Sequence, residues 1–272
     1  MDICIIGLGA IGSFVAEGLA KERHTLTLVD RDYVEQKNLL NQHYAVSDIG
    51  KTKAGASAER LSKLTNVVAL PIELTPETVV KIGNQDLVLG LTDNLYSRLV
   101  INDYAKKKGV KWLSGAASKS QGMIYATIEG YPCYCCIFGS KSGLGCDIGI
   151  SDGFGKRFSG EILEEIKAMG SQNYTPELVT CTMASSQRVK VSHSHTCSAC
   201  KGTYIYLNTP VFVQELCGKG VFQFRVPGLY QKIEGKRFPG VVHTGKAVVF
   251  EDGRVMVKAR TREEAEEIIR SL

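Results

Sequence analysis

A glycine-rich turn between an apolar run and a helix-forming segment stands at the start of this chain. Residues 2–7 are predicted to form a buried strand and residues 10–21 a helix. The turn between them reads Gly7-Leu8-Gly9-Ala10-Ile11-Gly12. In this setting the first glycine permits a tight turn, the second lets the backbone approach phosphate, and the third allows helix and strand to pack closely. The turn therefore predicts a nucleotide site, with the positive end of the helix dipole facing the phosphates.

Strands and helices alternate along the first part of the sequence. Further apolar runs of strand length follow at residues 26–29, 67–70, 86–90 and 110–113. This alternation predicts an α/β fold with a doubly wound, mainly parallel, Rossmann-like sheet, in which ligands bind beyond the carboxyl ends of the strands. Asp30 ends the second strand, about twenty residues after the turn, and is placed to bind ribose hydroxyls.

The sequence changes in character after about residue 120. We expect three parts: an ATP-binding domain over 1–138, a flexible loop and metal-linked segment over 139–201, and a small α+β region over 202–272. The loop is predicted from the Gly, Ser and Lys content of residues 139–160, with a helix following at 161–169. Near the end, Asp252-Gly253 predicts a hairpin turn, and Thr261 with Glu264 predicts a helix N-terminus.

The charge and hydropathy patterns exclude some classes of function. The net charge of +5 is mild and spread along the chain, so it suits an anionic ligand without requiring nucleic acid. No apolar stretch approaches the roughly 18 residues of a membrane span. No basic leader with a cleavage site precedes the first strand, so we expect a cytoplasmic location.

Three segments downstream of the turn distinguish ATP from NAD as the nucleotide. They occur in a fixed order as DRDYVEQKNLLNQ at 30–42, DIGKTKA at 48–54 and TDNLYSRLVIN at 92–102. Together with the turn they resemble the ThiF/MoeB family, the bacterial relatives of the ubiquitin-activating enzymes, and the resemblance covers roughly residues 1–138. It implies ATP, Mg²⁺ and the adenylation of a carboxylate.

The resemblance also implies residue roles, and the chemistry fits the residue types. Attack of a carboxylate on the α-phosphate develops charge on the phosphates, so positioning and electrostatic stabilisation dominate catalysis. Lys53 matches the family lysine near the triphosphate, with Lys51 as a second candidate, and Asp93 matches the aspartate that holds Mg²⁺. The remaining residues implied to bind ATP are Asp30, Asp32, Asn38, Asn41, Gln42 and Asn94.

Asn41 is a departure from the family, which carries an arginine at this position. A permanently charged, bidentate phosphate clamp is therefore absent there. Lys51, Arg31 or a residue of a partner subunit remain as substitutes. The family's usual helix before the first strand is also absent from this sequence.

Nine cysteines require an explanation other than disulfides in a reducing compartment. Two CxxC pairs predict a tetrahedral structural zinc site formed by Cys133, Cys136, Cys197 and Cys200. The segment PCYCC at 132–136 also matches the family pattern. Cys135, His193 and His195 remain alternative ligands. Cys146 is nearest in position to a cysteine that forms covalent intermediates in some family members, whereas Cys181 and Cys217 lie in no motif.

Four hypotheses about function remain open at this stage. The first is adenylation of a small-molecule carboxylate in cofactor biosynthesis, such as the guanylylpyridinol precursor of the iron-guanylylpyridinol cofactor of methanogens. The second is adenylation of the C-terminal glycine of a ubiquitin-like, ThiS/MoaD-like sulfur carrier protein. The third is a non-catalytic nucleotide-binding subunit, which Asn41 keeps open, and the fourth is an NAD(P)-dependent oxidoreductase, which has no need of the downstream segments. The family resemblance implies a homodimer.

Overall fold

The computed structural model describes residues 1–139, 150–151, 153–208, 213–216, 220–226 and 228–272. The described residues up to Asn208 form one compact unit, and those from Val213 onward form a second. No helix in these ranges is long and apolar enough to cross a membrane. Cys146 and Cys217 lie outside the described residues.

The first unit contains an eight-stranded sheet in the order β3-β2-β1-β4-β5-β6-β7-β8. Its strands are β1 (Asp2–Ile6), β2 (Thr25–Val29), β3 (Val67–Leu70), β4 (Leu87–Gly90), β5 (Lys111–Ser118), β6 (Gln121–Thr127), β7 (Leu178–Thr182) and β8 (Ser186–Val189). The first five strands pair in parallel, and β6, β7 and β8 extend the sheet in antiparallel pairings. This arrangement confirms the predicted mainly parallel, Rossmann-like fold.

Helices cover both faces of this sheet. They are α1 (Gly12–Lys21), α2 (Lys53–Leu61), α3 (Leu95–Lys108), α4 (Tyr134–Phe138), α5 (Phe154–Ala168) and α6 (Ile205–Asn208). Ile3 and Ile5 of β1 pack in a core with α1, α2 and α5, whereas Cys4 and Ile6 pack in a second core with α3 and α4. Because successive side chains of a strand point to opposite faces, the continuous apolar run of β1 is explained by burial on both sides.

Helix α5 begins earlier than the sequence predicts. We expected a loop through residue 160, yet the helix starts at Phe154. Its buried side chains include Phe158, Ile162 and Ile166, which recur every four residues and form one face. Three glycines within residues 153–160 obscured this face, and one of them is required by packing: a Cβ at Gly155 would lie 2.6 Å from the carbonyl oxygen of Ala10.

The second unit contains a six-stranded antiparallel sheet in the order β11-β12-β13-β14-β10-β9. Its strands are β9 (Val213–Leu216), β10 (Val221–Arg225), β11 (Lys236–Phe238), β12 (Val241–His243), β13 (Ala247–Phe250) and β14 (Arg254–Lys258), and its helices are α7 (Leu229–Lys232) and α8 (Arg262–Arg270). The predicted hairpin turn joins β13 to β14. Thr261 caps α8 by accepting a hydrogen bond from the Glu264 N–H at 3.2 Å, as predicted.

A buried carboxyl group on α3 makes stability depend on pH. Asp103 is buried and accepts a 2.7 Å hydrogen bond from the Tyr206 N–H, and burial raises the pKa of its carboxyl to about 6. Since the folded state favours the protonated form, wild-type stability falls as pH rises from about 4 to about 6, by at most about 3 kcal/mol. Asp103→Asn does not titrate. We therefore expect the free energy of unfolding of Asp103→Asn, measured in urea, to rise relative to the wild-type value as the pH rises from about 4 to about 6.

Asp86→Asn is the matched control, because Asp86 is exposed and also accepts a backbone hydrogen bond, from Asp2 at 2.8 Å. The difference in free energy of unfolding between Asp103→Asn and wild type should change more with pH than that between Asp86→Asn and wild type. If the free energy of unfolding of Asp103→Asn differed from that of wild type by a constant amount from pH 4 to 7.5, this pH dependence could not be assigned to Asp103.

Candidate functional site

The carboxyl ends of β1, β2 and β4 bring three predicted motifs to one edge of the sheet. Strand β1 lies between β2 and β4, so the strand order reverses beside it, which is where ligands bind in open α/β sheets. The glycine turn follows β1, Asp30 follows β2, and residues 92–94 follow β4. Leu91 donates a 2.8 Å backbone hydrogen bond to Ile6, which fixes the loop after β4 beside the turn.

The three glycines of the turn have different structural roles. Gly7 has a φ of +94°, and a Cβ there would lie 2.7 Å from the carbonyl oxygen of Leu91. A Cβ at Gly12 would lie only 1.9 Å from the carbonyl oxygen of Gly7. A Cβ at Gly9 would meet no atom within 4 Å. The fold therefore explains the first and third glycines, whereas the space at Gly9 is available to a ligand.

We expect Gly9→Ala to separate ligand binding from folding. The added methyl group meets open space in the protein, so the free energy of unfolding should stay within about 0.5 kcal/mol of wild type. The same methyl group occupies the space predicted for phosphate, so ATP affinity should fall at least about tenfold, as measured by calorimetric titration.

Gly12→Ala is the contrasting variant, because its methyl group collides with backbone. It should lose several kcal/mol of stability. ATP affinity at the wild-type level in a folded Gly9→Ala protein would place the phosphates away from Gly9.

Asp30 holds the glycine turn in addition to its predicted ribose contact. Its Oδ2 accepts a 2.7 Å hydrogen bond from the Leu8 N–H, and its Oδ1 accepts a 2.8 Å bond from the Asp32 N–H. Burial raises the pKa of Asp30, while the nearby Lys53 ammonium opposes this effect. A carboxylate oxygen has more than one acceptor position, so these bonds leave capacity for a ribose hydroxyl.

Lys53 is a buried lysine at the first position of α2. Thr52 caps this helix by accepting a 3.1 Å hydrogen bond from the Gly55 N–H. The Lys53 side chain is 9% exposed, and its Nζ lies 3.1 Å from Oδ2 of Asp32. The Lys53 N–H also donates to the Asp32 carbonyl at 2.8 Å. Because lysines are rarely buried without a partner, this geometry disfavours a merely solvated lysine at the start of a helix.

The candidate substitutes for the missing family arginine make other ion pairs. Lys51 is 40% exposed, and its Nζ lies 2.6 Å from Glu59 and 3.5 Å from Asp48. Arg31 forms an ion pair with Glu73. The Arg31 Nε also lies 3.8 Å from Oδ1 of Asp32, the carboxylate that pairs with Lys53. Of the two candidates, Arg31 therefore lies beside the Lys53–Asp32 pair, whereas Lys51 pairs with other carboxylates.

The segment that includes Asn38 and Gln42 forms a short 3₁₀ helix, Gln36–Leu40, and the residues after it. Asn38 is buried, and its Oδ1 accepts a 2.8 Å hydrogen bond from the Glu35 N–H. Asn41 is half-buried at the end of this helix. The side-chain Oε1 of Gln42 is buried and has no hydrogen-bond partner among the described residues. Gln42 is therefore an acceptor for which a ligand could provide the donor.

Two residues that the sequence motifs did not single out brace the glycine turn. The buried Tyr44 donates a 2.8 Å hydrogen bond from its hydroxyl to the Leu8 carbonyl. Ser13 donates a 2.8 Å bond to the Gly9 carbonyl and accepts a 3.0 Å bond from the His43 N–H. Ser13 follows Gly12 directly and could have been suspected, but no local pattern connects Tyr44 to the turn.

Asp93 is exposed at the carboxyl end of β4, and the next residue, not Asp93, caps helix α3. Asn94 is the N-cap of α3, since its Oδ1 accepts a 2.8 Å hydrogen bond from the Ser97 N–H. The buried Arg98 donates a 2.5 Å bond to the Thr92 carbonyl and fixes this loop from within. The Asp93 carboxylate, not being the cap, remains compatible with the predicted Mg²⁺ ligation.

Four cysteine sulfur atoms form a compact cluster in the same unit. The Sγ atoms of Cys133, Cys136, Cys197 and Cys200 all lie within 4.8 Å of one another. Four of these separations are 3.5 to 3.9 Å. Tetrahedral zinc with Zn–S bonds of about 2.3 Å requires S–S separations of about 3.8 Å, so the donor set fits this ion.

The alternative zinc ligands lie outside this cluster. Cys135 accepts a 3.2 Å hydrogen bond from the Asn102 side chain, and His193 and His195 are exposed. Cys181 is buried in β7.

Comparison with known proteins identifies relatives over most of the chain. The model of the ThiF family matches residues 1–213. The sulfur carrier protein ThiS adenylyltransferase of Bacillus subtilis is 29% identical over 242 residues, which is 81% of this chain and 72% of that protein. The sulfur carrier protein adenylyltransferase of Thermus thermophilus is 32% identical over 50% of this chain.

The coverage of the other relatives is lower. The chain spans 55% of the length of the Thermus protein and 32% of the Xenopus laevis adenylyltransferase and sulfurtransferase MOCS3. Among solved structures, Escherichia coli MccB with ATP has a TM-score of 0.61 at 16% identity, covering 73% of this chain and 66% of the MccB chain. The likeness to MccB, at this low identity, shows a shared fold.

Proposed function

This chain belongs to the ThiF family of adenylyltransferases, and from that premise we propose that it adenylates a carboxylate with ATP, forming an acyl adenylate and releasing pyrophosphate. One observation carries the proposal: the glycine turn, the buried Lys53–Asp32 pair and Asp93 converge at the carboxyl edge of the sheet. Hydride transfer has no use for a buried ammonium there, whereas a triphosphate requires positive charge.

The residues of the site act mainly by positioning. The N–H groups of the turn and the start of α1 bind phosphate oxygens, and the open space at Gly9 admits them. A substrate carboxylate oxygen forms a bond to the α-phosphorus while the bond from that phosphorus to the bridging oxygen breaks, and pyrophosphate leaves with the electron pair. Lys53 stabilises the charge that develops on the phosphate oxygens.

Mg²⁺ and the nucleoside use the remaining residues. Asp93 would hold Mg²⁺, which supplies charge neutralisation between phosphate oxygens when bound. Asp30 binds the ribose, and Asn38, Gln42 and Asn94 complete the polar surroundings. Asp32 aligns the Lys53 ammonium, and Asn41 contributes a neutral contact in place of the family arginine.

The four-cysteine cluster is proposed to bind a structural zinc ion. Its ligands come from two segments far apart in sequence, at residues 133–136 and 197–200. Four thiolates fill all the ligand positions of tetrahedral zinc and leave none for water, which is typical of structural rather than catalytic zinc.

Two substrate classes fit the proposed reaction. The names of the Bacillus and Thermus relatives favour a sulfur carrier protein. The neutral Asn41 favours a small-molecule carboxylate, for which guanylylpyridinol remains the prediction.

ATP–pyrophosphate exchange in the presence of Mg²⁺ tests the proposal directly. Each candidate carboxylate is supplied separately: a sulfur carrier protein of the source organism, guanylylpyridinol and a panel of small acids. Exchange with one of them supports the proposal and identifies the substrate class. Tight ATP binding without exchange would support a non-catalytic subunit, and NAD binding without ATP binding would overturn the proposal. Sedimentation velocity tests the homodimer that the family implies.

A further inference from the structure

Each peptide group of the glycine turn can present either of two ends to a phosphate. An N–H group attracts a phosphate oxygen, whereas a carbonyl oxygen repels it. The N–H groups of Gly7 and Leu8 are already used within the protein, the second of them by Asp30 at 2.7 Å. The N–H groups of Gly9 and Ala10 donate to no acceptor in the part of the chain that the structure describes. Phosphate binding by the turn therefore depends on where these two groups point.

Side chains hold the carbonyl groups that precede these two N–H groups. The Tyr44 hydroxyl donates to the Leu8 carbonyl at 2.8 Å. The Ser13 hydroxyl donates to the Gly9 carbonyl, also at 2.8 Å. In a trans peptide the C=O of one residue and the N–H of the next point in opposite directions. Each carbonyl that is bonded in this way therefore directs the following N–H to the other side, away from the side chain that holds it.

The peptide group between Leu8 and Gly9 requires such a bond to have one orientation. Glycine adopts positive and negative φ about equally readily, so this peptide group can rotate at Gly9 at little cost. Rotation by half a turn would exchange its two ends and present the carbonyl oxygen to a phosphate. A Cβ at Gly9 would meet no atom within 4 Å, so no close contact at this residue prevents the rotation. A hydrogen bond to the Leu8 carbonyl therefore selects one of the two orientations.

The Tyr44 side chain is itself fixed by its surroundings. It is 8% exposed and packs with Val34 and Ala56. Its hydroxyl accepts a 3.4 Å hydrogen bond from the buried Ser57, which leaves its own hydrogen for the turn. The Arg60 guanidinium lies 5.9 Å from the centroid of its ring. Burial raises the pKa of the Tyr44 hydroxyl, so it stays protonated and able to donate at neutral pH.

We propose that Tyr44 is a positioning residue for ATP. By holding the Leu8 carbonyl it directs the Gly9 N–H toward the phosphate oxygens, so the turn binds ATP without rearrangement. Donors that are oriented in advance bind more tightly, because they need not be ordered when the ligand arrives. This inference rests on the proposed function, which places ATP at the turn, and adds to it a residue outside the nucleotide-binding motifs.

Tyr44→Phe tests the role of the hydroxyl, because it keeps the buried ring. Its dissociation constant for ATP with Mg²⁺, measured by calorimetric titration, should rise about three- to tenfold, which corresponds to the typical contribution of one neutral hydrogen bond. Affinity for adenosine, which has no phosphate, should equal that of wild type. With any carboxylate that supports ATP–pyrophosphate exchange, the KM for ATP should rise in the same proportion while kcat stays near the wild-type value.

Tyr104→Phe is the matched control. The Tyr104 hydroxyl also donates to a backbone carbonyl, that of Gly83 at 3.2 Å, which precedes β4 and so lies at the other end of the strand from the turn. Loss of this bond should leave ATP affinity unchanged. Ser13→Ala is a second test of the same idea. It loses the side-chain bond to the Gly9 carbonyl but keeps the bond from the Ser13 N–H at 3.1 Å, so ATP affinity should fall less than in Tyr44→Phe, again with adenosine affinity unchanged.

Three results would each overturn the inference: wild-type ATP affinity in a folded Tyr44→Phe protein, an equal loss of affinity for ATP and adenosine, or the same loss of ATP affinity in Tyr104→Phe. If Tyr44→Phe does not fold, Ser13→Ala decides by the same criteria. The proposed function fails in a different way, when ATP binds but no carboxylate supports exchange, and the role of Tyr44 in ATP binding then stands. Failure of the wild-type protein to bind ATP would overturn the proposed function and, with it, this inference.

Discussion

We expect that replacing Lys53 by alanine strongly reduces ATP–pyrophosphate exchange and leaves the protein folded. The Lys53 ammonium is buried at the carboxyl edge of the sheet, held 3.1 Å from Asp32 at the start of α2. Removing a positioned charge of this kind costs about 3 to 4 kcal/mol of transition-state stabilisation, so the exchange rate should fall by about 10²- to 10³-fold or more. The Asp32 carboxylate left behind is 56% exposed and remains hydrated, so stability should change by less than about 1 kcal/mol.

Lys63→Ala is the matched control for this substitution. Lys63 is exposed just beyond the end of α2, so the same loss of charge occurs on the neighbouring surface without touching the site. We expect wild-type exchange in Lys63→Ala. Wild-type exchange in a folded Lys53→Ala protein would remove Lys53 from the catalytic assignment. Lys53→Arg should recover little activity, because the guanidinium is larger and planar and cannot reproduce a point charge in a buried position.

Replacing Cys197 by serine should release zinc and destabilise the first unit. The Cys197 sulfur is buried and lies 3.5 Å from that of Cys133, and thiolates are the ligands that hold structural zinc. Wild-type protein purified without chelators should contain about one equivalent of zinc by elemental analysis. The Cys197→Ser variant should contain less than half an equivalent of zinc, and its free energy of unfolding should be lower than that of wild type by several kcal/mol.

Cys135→Ser provides the control, since Cys135 lies between two ligands in sequence but bonds to Asn102. It should retain zinc. Loss of metal in Cys135→Ser with retention in Cys197→Ser would reverse the ligand assignment, and a zinc-free wild-type protein would refute the site.

The sequence predicted the parts of the fold that depend on local patterns. Strand β1, the glycine turn and α1 are contiguous in the chain, so a single motif contains their geometry. The two CxxC pairs likewise carry their ligand spacing within four residues each, and the structure brings them together. The ATP roles of Lys53 and Asp93 came from family resemblance and remain predictions that exchange assays test.

What the sequence did not reveal depends on contacts between distant residues. Tyr44 braces the carbonyl of Leu8 across 36 residues, and no pattern near Tyr44 indicates it. Asp30 was expected to serve the ribose, but its carboxylate also holds two backbone N–H groups, which depends on how the loop after β2 folds back. The early start of α5 was hidden because Gly155 lowers helix propensity while packing against Ala10 requires it.

The four-cysteine cluster joins residues 64 positions apart, and the chain between them includes α5, β7 and β8. A bound ion closes this stretch into a loop, and such a closure removes unfolded-chain entropy worth about 4 kcal/mol by the estimate used for cross-links. Helix α5 within the loop packs against the glycine turn through Gly155 and Ala10. If the cluster binds zinc as proposed, loss of the ion would loosen α5 and thereby weaken nucleotide binding, although every ATP-binding side chain is still present. The supply of zinc would then affect the nucleotide site from a distance.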